Sequence, residues 1–360
     1  MKNSFCILIL LSVALFFSCS NDTTPPALKA KPKGLGSMNT INVICDQDVW
    51  DGLVGDSLDY YLAGAFPIMP RPEEIFDLKH YTPEKVQKES VLTELRTYLM
   101  IANTSDKESM MTEMIKKDLG NARYQKSIEE NKAQTAVGYN KWASGQMLIY
   151  LFAKSEELIM DNVKNAFPII QQKVLNHDKA QLDAYVYAKG ENEGLTSKLK
   201  KDFGIDMKVP LDYKVAKEVE KENMIWLRKE TNDATLGIFI KQMDYKGPNQ
   251  LTKENAKLFS NDFGKRYVST DEAGSYMLLN DVDLPMLEYT KDINGNYAKE
   301  YRGIWEMEND FMGGPFVDYF IVDEKQSKLN FVMLFVFSPG KKKRDLIQGM
   351  DYMVNTIDFS

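Results

Sequence analysis

The chain contains 360 residues, of which 44% are hydrophobic and 11% aromatic, so it can bury a sizeable core without metal ions or disulfide bonds. Its formal net charge is −7 at pH 7, and this acidic excess excludes a general electrostatic attraction to nucleic acid. We therefore expect one large globular domain or two smaller ones, with no nucleic-acid partner.

The first residues have the pattern of a lipoprotein signal peptide. Lys2 precedes an apolar stretch from Phe5 to Phe17, FCILILLSVALFF, which is shorter than the roughly 20 residues of a membrane-spanning helix. Ser18 and Cys19 follow at once, and a small residue before a cysteine is typical of lipoprotein cleavage. The sequence predicts removal of residues 1–18 and attachment of lipid, palmitate among it, to Cys19; an uncleaved anchor is the alternative.

A lipid on Cys19 would make the membrane a partner and place the protein in the cell envelope. Residues 19–39 are rich in Pro, Gly, Ser, Thr and Lys, which predicts a flexible tether. Only Asp22 is acidic just after Cys19, which favours an outer-membrane position facing the periplasm. Cys45 is then the remaining cysteine, so no internal disulfide can form, and its apolar neighbours predict a buried, inert thiol.

The first half of the body, residues 40–200, reads as strands alternating with helices. The predicted elements are a strand over 40–47, a helix over 50–62, strands over 75–81 and 95–103, helical structure over 110–134, a strand over 145–155 and a helix over 156–174. Helix competes with strand over 95–103. Pro168 should kink or split the last helix, because proline removes a backbone donor and clashes with the preceding turn.

The second half, residues 201–360, is richer in hairpins. It contains predicted strands over 224–231 and 234–243, a helix over 251–268, hairpins that turn at Asn294-Gly295 and near Lys325, and a closing helix. Thr252 is expected to cap the helix over 251–268 and Gly264 to end it. Hairpins packed with helices predict the α+β class, with antiparallel or mixed sheets.

A short similarity between the halves predicts an internal duplication of an α/β unit. The segment DLKHYTPEKVQKE begins at Asp77, and DMKVPLDYKVAKE begins at Asp206. Aligned without a gap, they share aspartate, lysine, valine and glutamate at matching positions. Coincidence is the alternative, because lysine and glutamate are common in this chain.

The most suggestive catalytic motif is Gly55-Asp56-Ser57-Leu58, which matches the nucleophile signature of one class of lipases and esterases. Such a nucleophile lies on the turn between a strand and a helix, beside the amides of an oxyanion hole. Here Trp50, Val54 and Leu58 already follow helical spacing, so Ser57 is expected inside the helix, bonded back to the carbonyl of residue 53.

No other pattern predicts catalysis, a cofactor or a metal site. Asp77 and His80 could complete a triad with Ser57, but residues three apart on a strand point to opposite faces. The other histidine, His177, is expected at a polar helix end. Zinc-binding motifs and glycine-rich phosphate loops are absent from the sequence.

One segment, YRGIWEMENDFMGGPF, predicts a possible binding surface formed by Arg302, Trp305, Gly313 and Gly314. The paired glycines permit an unusual backbone path and close approach by a ligand. The alternative is a tight connection between hairpins, with Trp305 in the core.

The signal sequence, VICDQDVWDGLVGDSL, PRPEEIFDL, WLRKET, RGIWEMENDFMGGPF and the closing helix together resemble a family of Bacteroidetes envelope lipoproteins classed as a domain of unknown function. The resemblance covers nearly the whole mature chain and implies a lipid-anchored envelope protein without known catalytic residues. We therefore expect a non-enzymatic protein that binds or scaffolds an envelope protein or polymer. The alternative is a serine hydrolase or esterase that uses Ser57.

Overall fold

The computed structural model describes residues 30–359. The predicted signal peptide of residues 1–18, the predicted lipidation site Cys19 and the first part of the predicted tether lie outside the described residues. Within residues 30–359, every helix is too short or too polar to span a bilayer.

The first half is built on a five-stranded sheet with the strand order β2-β1-β3-β5-β4. Its elements are β1 Thr40–Ile44, α1 Gln47–Asp51, α2 Leu53–Leu62, β2 Asp77–Tyr81, α3 Pro83–Lys88, β3 Thr97–Asn103, α4 Met110–Leu119, α5 Asn121–Glu129, β4 Gln134–Tyr139, β5 Met147–Ala153 and α6 Glu156–Val186. Strands β2, β1, β3 and β5 are parallel, and β4 joins antiparallel at the edge. The predicted strand over 95–103 is thus correct and its helical alternative is wrong, whereas β4 was not predicted.

Helices cover both faces of this sheet, which explains the continuous apolar runs of β3 and β5. Leu99 and Ile149 face α2 and α6, and the alternate residues Met100 and Tyr150 face α4. Each face therefore has its own hydrophobic core.

The second half is built on an eight-stranded antiparallel sheet in the order β10-β12-β13-β14-β9-β8-β7, with β11 paired to β12. Its elements are α7 Glu193–Phe203, β6 Ile205–Asp206, β7 Lys214–Val219, β8 Met224–Glu230, β9 Thr235–Asp244, α8 Lys253–Tyr267, β10 Tyr276–Asn280, β11 Leu287–Ile293, β12 Asn296–Glu308, β13 Gly313–Asp323, β14 Lys328–Phe337, α9 Arg344–Val354 and β15 Asp358–Phe359. Helix α8 packs on one face, while α7 and α9 pack on the other. The predicted α+β class with mixed and antiparallel sheets is confirmed.

Two predicted helix ends are wrong. Helix α6 continues through Pro168 to Val186, because its first part packs on the first sheet and its last part packs on α9. Helix α8 continues through Gly264 to Tyr267. A side-chain Cβ at Gly264 would lie 2.1 Å from the carbonyl oxygen of Met277, so this glycine permits close packing of α8 on β10.

The structure does not show the predicted duplication. The segment that begins at Asp77 forms β2 and α3, whereas the segment that begins at Asp206 continues without a helix into β7. The boundary expected between residues 200 and 201 falls inside α7.

The last part of the predicted tether is bound to the body. The amide of Gly34 donates to the carbonyl of Ser144 at 2.8 Å, and the amide of Leu35 donates to that of Glu94 at 2.7 Å. Gln181 on α6 donates to the carbonyl of Gly36 at 2.7 Å. The chain is therefore fixed to the first half before β1 begins.

Candidate functional site

The structure divides the predicted binding surface between two faces of β12. Trp305 is 2% exposed and packs in the core beneath α8, as the alternative held. Arg302, three residues earlier, points to the opposite face, toward α9. Gly313 and Gly314 begin β13, and Gly314 pairs with Trp305. A Cβ at Gly314 would lie 1.8 Å from the carbonyl oxygen of Val336, so this glycine serves close strand packing.

The structure does not assemble a triad around Ser57. Its hydroxyl donates to the carbonyl of Leu53 at 2.8 Å inside α2, as the sequence indicated. Asp77 is paired with Arg344 and Lys342. His80 lies with Nε2 3.0 Å from the carbonyl oxygen of Cys45, and its ring stacks on Trp50 at 4.7 Å.

The two remaining candidate side chains, Cys45 and His177, are buried and half-buried. Cys45 is buried, and burial together with nearby aspartates raises the pKa of its thiol. His177 lies within α6, so its predicted place at a helix end is wrong, because the helix runs on to Val186. Burial and the charge of Arg96 lower the pKa of His177. Neither group is prepared for nucleophilic or acid–base chemistry.

A cleft of about 710 Å³ lies where the two halves meet. Its walls come from α6 of the first half, from α9 and the β11–β12 hairpin of the second half, and from the loop before β2. We call this feature the inter-half cleft. Arg302 lines it, and Trp305 does not.

A buried network of charges forms one wall of the inter-half cleft. The Arg302 guanidinium donates to Glu300 through Nε and to Asp351 through Nη2, each at 2.6 Å. Tyr319 donates to the second oxygen of Asp351 at 2.9 Å. Burial lowers the pKa of Arg302, but Asp351, Tyr319 and Glu300 outweigh it and raise this pKa well above its usual value.

This wall is arranged for binding more than for acid–base catalysis. Glu300 and Asp351 share the same guanidinium, and Asp351 also accepts from Tyr319, so these side chains hold one another in place. Burial raises the pKa of Asp351, and the bonds from Arg302 and Tyr319 offset this only in part. Both side-chain oxygens of Asp351 already accept these hydrogen bonds, so neither is free to exchange a proton with a ligand.

On the opposite wall of the inter-half cleft, the backbone and side-chain amides of Asn39 connect the two halves. The backbone amide of Asn39 donates to Asp178 on α6 at 2.8 Å, and its side chain donates to Gln348 on α9 at 2.6 Å. Arg96 pairs with the second oxygen of Asp178 at 3.2 Å. Asn39 thus positions α6 and α9 relative to each other.

Sequence reasoning missed most of this site. Glu300 and Arg302 lie two residues apart on one face of β12, and two charges on a core-facing stripe are a detectable signal. Asn39, Asp178 and Asp351 carry no local signal. Over residues 30–359, no group of three or more His, Cys, Asp or Glu side chains could hold a metal ion.

Comparison with known proteins gives each half a different match. Residues 34–186 match a family model described as domain of unknown function DUF8532, and residues 192–356 match one described as domain of unknown function DUF4837. No curated protein matches the chain.

Two solved structures resemble parts of the chain weakly. The human StarD13 (DLC2) lipid transfer and protein localization domain is 13% identical, with 46% of this chain and 91% of that chain covered and a TM-score of 0.21. An uncharacterized protein from Rhizobium leguminosarum is 12% identical, with 34% and 92% covered and a TM-score of 0.16. Scores this low support no argument about fold or function. The chain is therefore similar, in both halves, to domains of unknown function.

Proposed function

We propose that the protein is a lipid-anchored cell-envelope lipoprotein of the Bacteroidetes type, whose body binds an envelope protein or polymer without catalysing a reaction. The observation that carries the binding role is the inter-half cleft, with its wall of mutually paired Glu300, Arg302 and Asp351. Groups fixed in advance bind a ligand at a lower entropic cost than groups that must first be ordered.

The anchor is supported by the apolar stretch from Phe5 to Phe17 followed by Ser18-Cys19. The outer membrane, with the body facing the periplasm, is the proposed place. Growth with radiolabelled palmitate should label the full chain, and Cys19→Ala should abolish both the label and recovery in the membrane fraction. A wild-type chain that stays unlabelled and soluble contradicts the anchor.

The binding role is tested in native membranes. A photoreactive amino acid at position 179 places the cross-linker on α6 at the inter-half cleft, and the same amino acid at the exposed position 272 is the matched control. We expect a discrete cross-linked product from position 179 and none from position 272. Equal products from both positions, or none from either, remove the support for a binding cleft.

The hydrolase alternative is tested with a fluorophosphonate probe on the full chain. The Ser57 hydroxyl is engaged with the carbonyl of Leu53 inside a helix, so we expect no labelling. Ser57→Ala should change the free energy of unfolding by less than about 1 kcal/mol. Labelling of the wild type that is lost in Ser57→Ala would establish the hydrolase instead.

A further inference from the structure

We propose that the inter-half cleft binds a neutral carbohydrate, such as a segment of an uncharged oligosaccharide. This inference rests on the proposed binding role of the cleft and adds the chemical class of the ligand. Three properties of the lining carry it: balanced charge, oriented amide oxygens without a partner among residues 30–359, and exposed apolar faces beside them.

The charges of the lining nearly cancel. The acidic side chains are Asp178, Asp292, Glu300 and Asp351, and the basic ones are Lys179, Lys291 and Arg302. Asp178 is further neutralised by Arg96 from behind the wall. A cleft with so little net charge attracts neither a polyanion nor a polycation, because selective binding of a charged ligand needs an excess of the opposite sign.

Three amides on different elements offer hydrogen-bond acceptors. The side-chain nitrogens of Gln171, Asn294 and Asn355 donate to the carbonyls of Tyr61, Ile357 and Asp351 at 3.2, 2.8 and 2.7 Å. These bonds fix the amide planes. The amide oxygens of the three side chains have no partner within residues 30–359, so each can accept a hydroxyl proton.

Donors lie beside these acceptors. Lys291 is 43% exposed, and its ammonium lies 3.6 Å from Glu300 and 5.7 Å from the centre of the Tyr289 ring, which leaves ammonium protons for other acceptors. Lys179 on α6 is exposed and makes no ion pair within residues 30–359. A sugar hydroxyl both donates and accepts, so it can bond to an amide oxygen and to an ammonium group at once.

Apolar faces complete the lining. Tyr289 is 37% exposed and Leu175 is 38% exposed, on opposite sides of the cleft. A pyranose ring presents C–H groups on its faces and hydroxyls at its edge, so a ring over Tyr289 would meet apolar and polar surface together. A lipid chain would instead leave the three amide oxygens desolvated without hydrogen bonds, at a high cost.

The test uses the full-length lipoprotein, purified in a zwitterionic detergent that contains no sugar. It is applied to an array of neutral oligosaccharides of glucose, galactose, mannose and N-acetylglucosamine, with uronic-acid and sulfated oligosaccharides and phosphatidylglycerol spots as charged comparators. The neutral oligosaccharide with the strongest signal is then titrated by calorimetry. We expect binding to at least one neutral oligosaccharide and none to the charged set.

Variants assign the binding to the cleft. Tyr289→Ala and Asn355→Ala should each weaken the affinity about tenfold, the scale of one lost contact. Tyr60→Ala, at an exposed tyrosine on α2 outside the cleft, should leave it unchanged. Melting temperatures show whether each variant is folded, and Tyr289→Phe, which keeps the ring, should retain most of the affinity.

Other outcomes overturn the proposal in different ways. Binding only to charged probes, or to none, shows that the ligand class is wrong. Binding that Tyr289→Ala and Asn355→Ala leave unchanged shows that the sugar binds elsewhere. If the cross-link from position 179 persists in either case, the binding role of the cleft stands and only the carbohydrate assignment fails.

Discussion

Asp318 is a carboxyl group without a charged partner in the core of the second half. It lies on β13 beneath α8, where Ser260 donates to Oδ2 at 2.7 Å, and Oδ1 has no partner within the described part of the chain. Burial raises the pKa of Asp318 well above its usual value, and the Ser260 bond lowers it only in part. Burial therefore favours the neutral form of Asp318 in the folded protein.

This raised pKa makes stability depend on pH in a defined direction. Below the unfolded pKa of about 4, Asp318 is neutral in both states and costs nothing. Above it, the unfolded chain ionises while the folded chain does not, so stability falls by about 1.4 kcal/mol per pH unit until the folded pKa is reached. We expect Asp318→Asn to be more stable than the wild type at pH 8 and to match it near pH 4.

Urea unfolding at a series of pH values measures this difference. Asp271→Asn, at an exposed aspartate, is the control and should show no such slope. A difference between Asp318→Asn and wild type that stays constant from pH 4 to pH 8 would contradict the assignment of a neutral acid.

At the scale of elements, the N-terminus of α9 is capped by a carboxylate from the other half of the chain. Its own N-cap residue, Lys343, supplies no side-chain hydrogen bond. Instead the Glu73 carboxylate accepts from the backbone amides of Lys343 and Arg344, each at 2.8 Å, and Glu73 is 7% exposed. A negative group at a helix N-terminus satisfies unpaired amides and complements the helix dipole.

We expect Glu73→Ala to lower the free energy of unfolding by about 2 kcal/mol, because it leaves buried amides without acceptors. Glu74→Ala is the matched control. Glu74 is half exposed and pairs with Lys342 at the surface, so its loss should cost less than about 1 kcal/mol. Chemical denaturation of both variants gives the comparison, and equal losses would show that Glu73 does not act as a cap.

Local sequence patterns were enough to predict much of the fold. Asn294-Gly295, with φ of 50° and 84°, forms the expected turn between β11 and β12, and Thr252 caps α8 as expected. Pro168 does not split α6 and Gly264 does not end α8, because tertiary contacts outweigh their local preferences. The segments that begin at Asp77 and Asp206 align without being a structural repeat. Charged residues are common in this chain, so such matches arise from composition alone.

The candidate site was harder to predict because it joins distant parts of the chain. Asn39, Asp178, Arg302 and Asp351 meet only after both halves fold and dock. Asn39, Asp178 and Asp351 have ordinary sequence neighbours. The sequence places Arg302 near Trp305, yet the two side chains lie on opposite faces of β12, and Arg302 alone lines the inter-half cleft.

At the scale of the whole molecule, the basic run Lys341–Arg344 fastens the halves together. Arg344 is 2% exposed and donates to Asp77 at 2.8 Å and to the carbonyl of Glu74 at 2.7 Å. Lys342 adds a second bond to Asp77 at 2.9 Å. Burial raises the pKa of Asp77, but the bonds from Arg344 and Lys342 outweigh it and lower the pKa below its usual value.

Because the pKa of Asp77 is lowered in the folded protein, the contact between the halves should weaken in acid. A carboxylate with a lowered folded pKa stabilises the folded state above its unfolded pKa and loses that contribution as pH falls through the folded value. The contact between the halves should therefore be strongest at neutral pH and weaken below about pH 4.

The four tryptophans allow this coupling to be observed, because Trp50 and Trp142 lie in the first half and Trp226 and Trp305 in the second. Replacing both tryptophans of one half by phenylalanine leaves tryptophan reporters only in the other half. With intact contacts we expect both reporters to show the same urea midpoint at pH 7, since coupled halves unfold together.

Arg344→Ala removes the central donor of this contact and leaves Asp77 with Lys342 alone, so the two midpoints should separate and at least one should fall. Arg123→Ala, at an exposed arginine on α5 that makes no ion pair within residues 30–359, should leave them coincident. In the wild-type background, lowering the pH below about 4 should begin the same separation. If the reporters remain coincident in Arg344→Ala, other contacts such as Asn39 with Gln348 are sufficient to hold the halves together, and the inter-half cleft would keep its shape without the basic run.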